Sequence, residues 1–249
     1  MGKNIRSWLI AIGIGCLPSA AYAHDYCQYG KQSVLLLIDE TTNFDSMDRE
    51  HLMDGISKIF ESLEVGDEII SHSISSSSVL SEKVFEGCYP GCPEGDIWSW
   101  ATNACKGGLA RQDALRFKAE LAGKMKAVMG RYVDHPQSDI LATIADLTKT
   151  YNGKNLSRLV VFSDLLENSK ALPWPTIATS RFESLKPSVR RSGGTAELQG
   201  VKVQVFGFGR SHSDNREPLS GEMRQKVAEF WASYFKESGA SDVRIGQRY

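Results

Sequence analysis

The most constraining feature of this 249-residue sequence is an apolar run that ends in an acidic residue. Five consecutive apolar residues, Val34 to Ile38, lead directly into Asp39. A short uninterrupted apolar run is typical of a strand buried on both faces, as in a parallel sheet covered by helices. The functional groups of such sheets lie just beyond the carboxyl ends of the strands, and Asp39 falls at that point.

A second run of the same kind, Leu159 to Phe162, leads into Ser163 and Asp164. Elsewhere in the chain, strand patterns alternate with helix patterns. The strand patterns cover 68–75, 79–85, 201–208 and 242–246, and the helix patterns cover 46–63, 109–133, 140–151, 176–191 and 220–238. This alternation predicts an α/β fold, in which a doubly wound, mostly parallel sheet is flanked by helices.

The N-terminus has the features of an export signal. Lys3 and Arg6 make its start positive, residues 8–17 are mostly apolar, and Ala21-Tyr22-Ala23 is a small-x-small cleavage site. The apolar segment is shorter than the roughly 20 residues that a spanning helix needs. We therefore expect a signal peptide over 1–23 that directs the chain to the periplasm.

The remainder, 24–249, is long enough for one well-packed domain. Removal of residues 1–23 takes away two basic residues and no acidic one, which changes the formal net charge from −1 to −3. The remainder has no basic stripe and no apolar run long enough to span a bilayer, which argues against nucleic acid and against an integral membrane segment. Lipoprotein anchoring at Cys16 is less favoured, because Gly13 stands where a large aliphatic residue is usual.

Four cysteines remain after the signal, namely Cys27, Cys88, Cys92 and Cys105. An even number in an exported chain indicates two disulfides, for which three connectivities are possible. We expect Cys27 to pair into the cysteine-rich segment 87–108, which has no periodicity and reads as a stapled loop insertion. Zinc is the alternative, but the spacing matches no zinc pattern well.

The residues that follow the two apolar runs form a candidate cation site. Asp39, Thr41 and Asn43 alternate along one loop, Ser138 stands at the N-cap position of a helix, and Asp164 follows the second run. Carboxylate, hydroxyl and amide oxygens are the ligands that Mg²⁺ or Mn²⁺ prefers. We therefore expect Mg²⁺ or Mn²⁺ at this edge of the sheet.

This pattern resembles the metal-ion-dependent adhesion site of von Willebrand factor A (VWA) domains, in which Asp-x-Ser-x-Ser, a later Thr and a later Asp hold the metal. Asp39 and Asp164 match the two aspartates, Thr41 and Asn43 stand at the two serines, and Ser138 stands at the threonine. The resemblance covers residues 34–246. It implies a VWA/Rossmann-like fold with a degenerate metal site, and binding to a protein partner rather than catalysis.

We therefore predict an exported protein-interaction module, with a protein partner in the cell envelope. Trp98 and Trp100 lie in the stapled loop and, if exposed, are good interface anchors. Arg210 and His212 follow the strand pattern 201–208 and are candidate contacts for an anionic partner.

Two other functions remain open from the sequence. A haloacid-dehalogenase-like phosphohydrolase would use Asp39 as its nucleophile, but Thr41 stands where most such enzymes carry a second Asp. A structural periplasmic subunit would need no metal at all.

Overall fold

The computed structural model describes residues 25–42, 44–93, 105–131, 136–211 and 215–249. The predicted signal peptide lies outside these ranges, as do Asn43, Trp98, Trp100 and His212. The described strands are β1 (Ser33–Asp39), β2 (Glu68–Ile74), β3 (Lys83–Cys88), β4 (Leu156–Phe162), β5 (Lys202–Phe206) and β6 (Asp242–Ile245). The described α-helices are α1 (Ser46–Glu61), α2 (Gly107–Met129), α3 (Ile140–Thr150), α4 (Trp174–Thr179), α5 (Phe182–Arg191) and α6 (Gly221–Glu237).

The six strands form one sheet in the order β3-β2-β1-β4-β5-β6. All neighbours are parallel except β3, which is antiparallel to β2. The predicted fold class, a mostly parallel sheet flanked by helices, is confirmed. The chain winds outward from β1 in one direction and from β4 in the other, so the switch point of the sheet lies between β1 and β4.

Two hydrophobic cores lie on opposite faces of the sheet, because successive side chains of a strand point to opposite faces. Leu35 and Leu37 of β1 belong to the core under α3, α4, α5 and α6. Val34, Leu36 and Ile38 belong to the core under α1 and α2. Every residue of β1 is buried, which explains why its sequence is uninterrupted rather than alternating.

Two disulfides join the four cysteines, Cys27–Cys88 and Cys92–Cys105. The first links the 3₁₀ helix Tyr26–Tyr29 to the end of β3, as expected for Cys27. The zinc alternative is excluded because each sulfur is bonded to another sulfur. None of the helices in the described ranges is both long and apolar enough to cross a bilayer.

Three predicted elements differ from the structure. The strand expected at 79–85 begins only at Lys83, because Ser78–Leu80 forms a 3₁₀ turn, and Cys88 belongs to this strand rather than to the stapled loop. The helix expected at 176–191 is two helices, since the backbone at Ser180 is extended. The N-cap residue of α3 is Asp139 rather than Ser138.

Candidate functional site

The carboxyl ends of β1 and β4 bring the two predicted aspartates to the same place. Asp39 is the last residue of β1, and Asp164 follows β4 by two residues. The strands are direct neighbours, with Ile38 opposite Phe162. Both carboxylates are buried, at 1% and 2% exposure. The prediction that both aspartates lie at the same edge of the sheet agrees with this geometry.

Hydroxyl groups surround these carboxylates, and we call Asp39, Thr41, Thr42, Ser163 and Asp164 the strand-end site. Oδ1 of Asp39 accepts from the backbone N–H and the hydroxyl of Thr41, at 3.1 and 2.6 Å. Oδ2 of Asp39 accepts from the Ser163 hydroxyl at 2.6 Å. The Thr42 hydroxyl donates to Oδ2 of Asp164 at 3.2 Å. Both oxygens of Asp39 are therefore hydrogen-bonded within the protein.

The turn after β4 positions Asp164 by an unusual backbone conformation. Leu165 has φ +60°, in the left-handed region that non-glycine residues rarely adopt. Its carbonyl accepts from Nε1 of Trp231, a fully buried residue of α6, at 2.9 Å. Oδ1 of Asp164 accepts from the backbone N–H of Leu166 at 3.0 Å. Core packing of α6 thus holds the turn that carries the carboxylate.

Asp164 also belongs to a buried ion-pair network, which we define as Asp45, Asp48, Asp164, Arg210 and Arg216. Nη1 of Arg216 donates to Oδ2 of Asp164 at 2.9 Å, and its Nε donates to Oδ2 of Asp48 at 3.1 Å. Nη1 of Arg210 donates to Oδ1 of Asp48 at 3.0 Å, and its Nη2 donates to Asp45. Carboxylates and guanidinium groups therefore alternate from α1 to the loop after β4.

Apart from Asp45, whose side chain is 34% exposed, the network is withdrawn from water. Asp48 is 0% exposed, Arg216 4% and Arg210 7%. Burial disfavours the charged form of Arg216, but Asp164 and Asp48 outweigh this effect and raise its pKa. The hydrogen bond from Arg210 holds the pKa of Asp45 far below its usual range. Each carboxylate of the network contacts a guanidinium group of opposite charge.

Local structure at both ends of the network explains its geometry. Asp45 and Asp48 form a reciprocal capping box at the start of α1, in which each carboxylate accepts from the backbone N–H of the other. In the loop between β5 and α6, the Arg216 carbonyl accepts from Nε of Arg210 at 2.9 Å. A β-bridge between Arg210 and Pro218 closes this loop. The Asp-x-x-Asp spacing before an amphipathic helix is the one sequence signal that indicates the capping role.

Arg210 therefore has a different environment from the one expected. We predicted that it contacts an anionic partner, but its guanidinium is 7% exposed and satisfied by Asp45 and Asp48. It stabilises the loop from inside the protein. Of the four predicted partner contacts, this is the one that lies within the described ranges.

Ser138 is buried, but its side chain does not cap α3. Its hydroxyl has no hydrogen-bond partner, whereas its carbonyl accepts from the backbone N–H of Asn168 at 2.9 Å. The N-terminus of α3 is capped instead by Glu167, whose Oε2 accepts from the backbone N–H groups of Ile140 and Leu141 at 2.8 and 3.0 Å. Glu167 is 0% exposed.

Burial of Glu167 raises its pKa to about 8, against the opposing effect of the nearby Ser169 hydroxyl and the two backbone donors. Its other oxygen, Oε1, makes no hydrogen bond. A buried carboxyl with one unpartnered oxygen is costly when ionised, so near pH 7 the neutral form predominates.

The described residues do not fit a hydrated divalent cation well. They contain no group of three or more His, Cys, Asp or Glu side chains arranged to hold a metal ion. Oδ2 of Asp164 already faces the Arg216 guanidinium at 2.9 Å, and Mg²⁺ binds carboxylate oxygen at about 2.0–2.1 Å. A divalent cation on the same oxygen would repel the guanidinium. Asn43, one of the five predicted ligands, lies outside the described residues.

No protein-family model and no curated protein sequence matches the chain. Among solved structures, it is similar to proximal thread matrix protein 1 from the mussel byssus, with 11% sequence identity and a TM-score of 0.35. The likeness covers 88% of this chain and 42% of that one, so the chain spans less than half of the mussel protein. At this identity and TM-score, the likeness carries no argument about fold or function.

Proposed function

We propose that this chain is an exported protein-interaction module with a VWA-like fold. It binds a protein partner of the cell envelope with the loops at the carboxyl ends of β1, β2 and β4. The order of the strands, the paired aspartates at the switch point, the export signal and the two disulfides support the proposal.

The observation that carries the proposal is an exposed apolar tip, Val79 and Leu80, in the loop between β2 and β3. Their side chains are 89% and 56% exposed. The loop is nevertheless anchored at both ends, since Ser78 N–H donates to Asp139 at 3.2 Å and the Ser81 hydroxyl donates to the Ser73 carbonyl at 2.7 Å. Two adjacent aliphatic residues on an anchored turn present a pre-organised contact, which lowers the entropic cost of binding.

The tip lies at the same edge of the sheet as the strand-end site, because Ile74 at the end of β2 is paired with Asp39. Asp139, which anchors it, is the N-cap residue of α3, and its backbone N–H donates to the Ser75 carbonyl just beyond β2. Arg131 and Glu82 form an ion pair on the same side at 2.9 Å. An apolar centre with a charged rim is the usual anatomy of a protein interface.

The same geometry argues for binding rather than catalysis. Asp39 is 1% exposed, and both its oxygens accept hydrogen bonds, so it is not presented as a nucleophile. No observation favours the phosphohydrolase alternative. The structural-subunit alternative differs in a testable way, because it assigns no partner to the tip. Binding through an apolar tip needs no cation, so the dependence on Mg²⁺ or Mn²⁺ stays a separate prediction.

The proposal is tested by a photo-crosslinking residue at position 79 in cells that export the chain. Leu115 is the matched control, because it is 70% exposed. It lies two residues from Asp113 of α2, and Asp113 accepts a hydrogen bond from Tyr26 at the opposite edge of the sheet. We expect a specific adduct from position 79 that is lost in Leu80→Glu, and none from position 115. Equal adducts at both positions, or none at position 79, would contradict the proposal.

A further inference from the structure

The positive charge that faces the Asp164 carboxylate of the strand-end site comes from the chain itself. We propose that Arg216 is a built-in cation, whose guanidinium takes the place of the metal that a VWA-like site is expected to hold. The site is then complete in the absence of divalent metal. The comparison with a metal site rests on the VWA-like fold proposed above, whereas the charge argument rests on the contacts of Arg216 alone.

Arg216 joins carboxylates from two different elements, as a bridging metal would. Asp164 lies in the turn after β4, and Asp48 lies in the first turn of α1. The guanidinium carries a permanent charge and several donors in fixed directions, so it can satisfy two carboxylates at once. A Lys ammonium has no such planar fork.

The loop that carries Arg216 is held in the conformation that directs its side chain inward. Arg216 has φ +46°, a left-handed conformation that is strained for a non-glycine residue. Its Nη1 also donates to the Ser211 carbonyl at 2.7 Å, across the same loop. Strain of this kind persists only where surrounding contacts determine it, and here those contacts are the ion pairs and the Arg210–Pro218 bridge.

Loss of the guanidinium would remove the positive charge that faces the buried Asp164 carboxylate. Asp48 retains Arg210, but the arginine that Asp164 faces would be gone. Breaking a buried ion pair by removing one partner is strongly destabilising, because the remaining charge stays desolvated. A small divalent cation could then compensate the charge of Asp164, since the guanidinium no longer repels it.

The burial of Arg216 also limits how the site can contact a partner. Arg216 is 4% exposed, so it cannot meet a carboxylate of a partner, and no metal is needed to bridge to one. Chelators should leave both the fold and the binding surface intact.

The test is thermal unfolding of the oxidised chain in EDTA, Mg²⁺ or Mn²⁺, for the wild type and for Arg216→Met, Arg216→Lys and Arg216→Met/Asp164→Asn. Arg190→Met is the control, because Arg190 is exposed on α5. We expect one wild-type midpoint in all three conditions. Arg216→Met should unfold roughly 10 °C lower in EDTA and recover in part with Mn²⁺. The midpoint of Arg216→Lys in EDTA should lie between those of the wild type and Arg216→Met. Mn²⁺ should not change the midpoint of the double variant.

A wild-type chain that binds Mn²⁺ stoichiometrically and is stabilised by it would overturn the inference. So would an Arg216→Met variant as stable as Arg190→Met in EDTA, or one that Mn²⁺ does not stabilise. If Arg216→Met does not fold in EDTA, the yield of folded protein with and without Mn²⁺ replaces the midpoint and is judged by the same criterion. Crosslinking at position 79 is independent of these results, so failure of either proposal is seen separately.

Discussion

Glu167 makes the stability of this protein depend on pH in a direction opposite to that of an ordinary carboxylate. Its pKa is raised from the usual 4.5 to about 8, chiefly by burial. The folded state therefore holds a proton that the unfolded state releases between these two values. This contribution to stability is complete below pH 4.5 and is lost as the pH rises through 8.

The size of this pH dependence follows from the single proton that Glu167 binds in the folded state. Each pH unit inside the window lowers the free energy of unfolding by up to about 1.4 kcal/mol, so the loss between pH 5 and pH 8 is roughly 3 kcal/mol. Glu167→Gln keeps an oxygen for the backbone N–H groups of Ile140 and Leu141 but cannot ionise. We expect the variant to match the wild type at pH 5 and to be more stable by roughly 3 kcal/mol at pH 8.

Urea denaturation at pH 5, 6, 7 and 8 with the disulfides intact measures this difference directly. Glu86→Gln is the control, because hydrogen bonds from Lys154 and Lys83 lower the pKa of Glu86 to about 2. Its titration lies below the measured window, so the variant should keep the wild-type slope. Two charged or titratable neighbours of Glu167, Asp139 and Tyr234, are present in every variant. A Glu167→Gln variant with the wild-type slope, or one less stable than the wild type at pH 8, would refute the reasoning.

Three further predictions concern stability at pH 7. Removing the Cys27–Cys88 disulfide, with a separation of 61 residues, should cost about 4 kcal/mol, against about 3 kcal/mol for Cys92–Cys105 with a separation of 13, as measured by urea denaturation. Ser163→Ala should cost about 1–3 kcal/mol in the same assay, because it leaves Oδ2 of the buried Asp39 without this donor. Gly66→Ala should sharply reduce the yield of folded protein, because φ is +87° and the new Cβ would lie 2.2 Å from a backbone nitrogen.

Each of these predictions has a control or a contradicting outcome. Equal costs for the two disulfides would argue against the loop-closure reasoning. Ser157→Ala is the control for Ser163→Ala, because the Ser157 hydroxyl donates to the Ser33 carbonyl rather than to a carboxylate. Gly123→Ala is the control for Gly66→Ala, because a Cβ at Gly123 meets open space in α2 and should stabilise the helix by about 0.5–1 kcal/mol. A folded Gly66→Ala protein in normal yield would show that the backbone can move apart.

Local sequence patterns predicted most of the elements and the edge of the sheet at which the site lies. The apolar runs before Asp39 and Asp164 predict buried parallel strands, and parallel strands present their carboxyl ends at one edge. The order of elements predicts the α/β class, and the even number of cysteines predicts two disulfides. These features can be predicted because they depend on the periodicity of short segments and on composition, and not on contacts between distant residues.

The contents of the site were not predictable in the same way. Asp48 and Arg216 are separated by 168 residues, and Glu167 caps a helix that begins 27 residues before it. Each residue taken alone resembles an ordinary capping or loop residue. The sequence pattern indicated which oxygens reach the edge of the sheet, but not which cation faces them.

The sequence by itself predicted the fold class and the position of Asp39 and Asp164 at one edge of the sheet, because each depends on short-range patterns. Only the tertiary structure decided that an arginine faces Asp164 and that Glu167 is buried. Both features depend on the conformation of loops and on the burial of side chains, which arise from contacts between distant parts of the chain. The left-handed backbone of Arg216 and the core packing of Trp231 hold the guanidinium and the Asp164 carboxylate together. The interaction between these two groups is stronger where water is excluded.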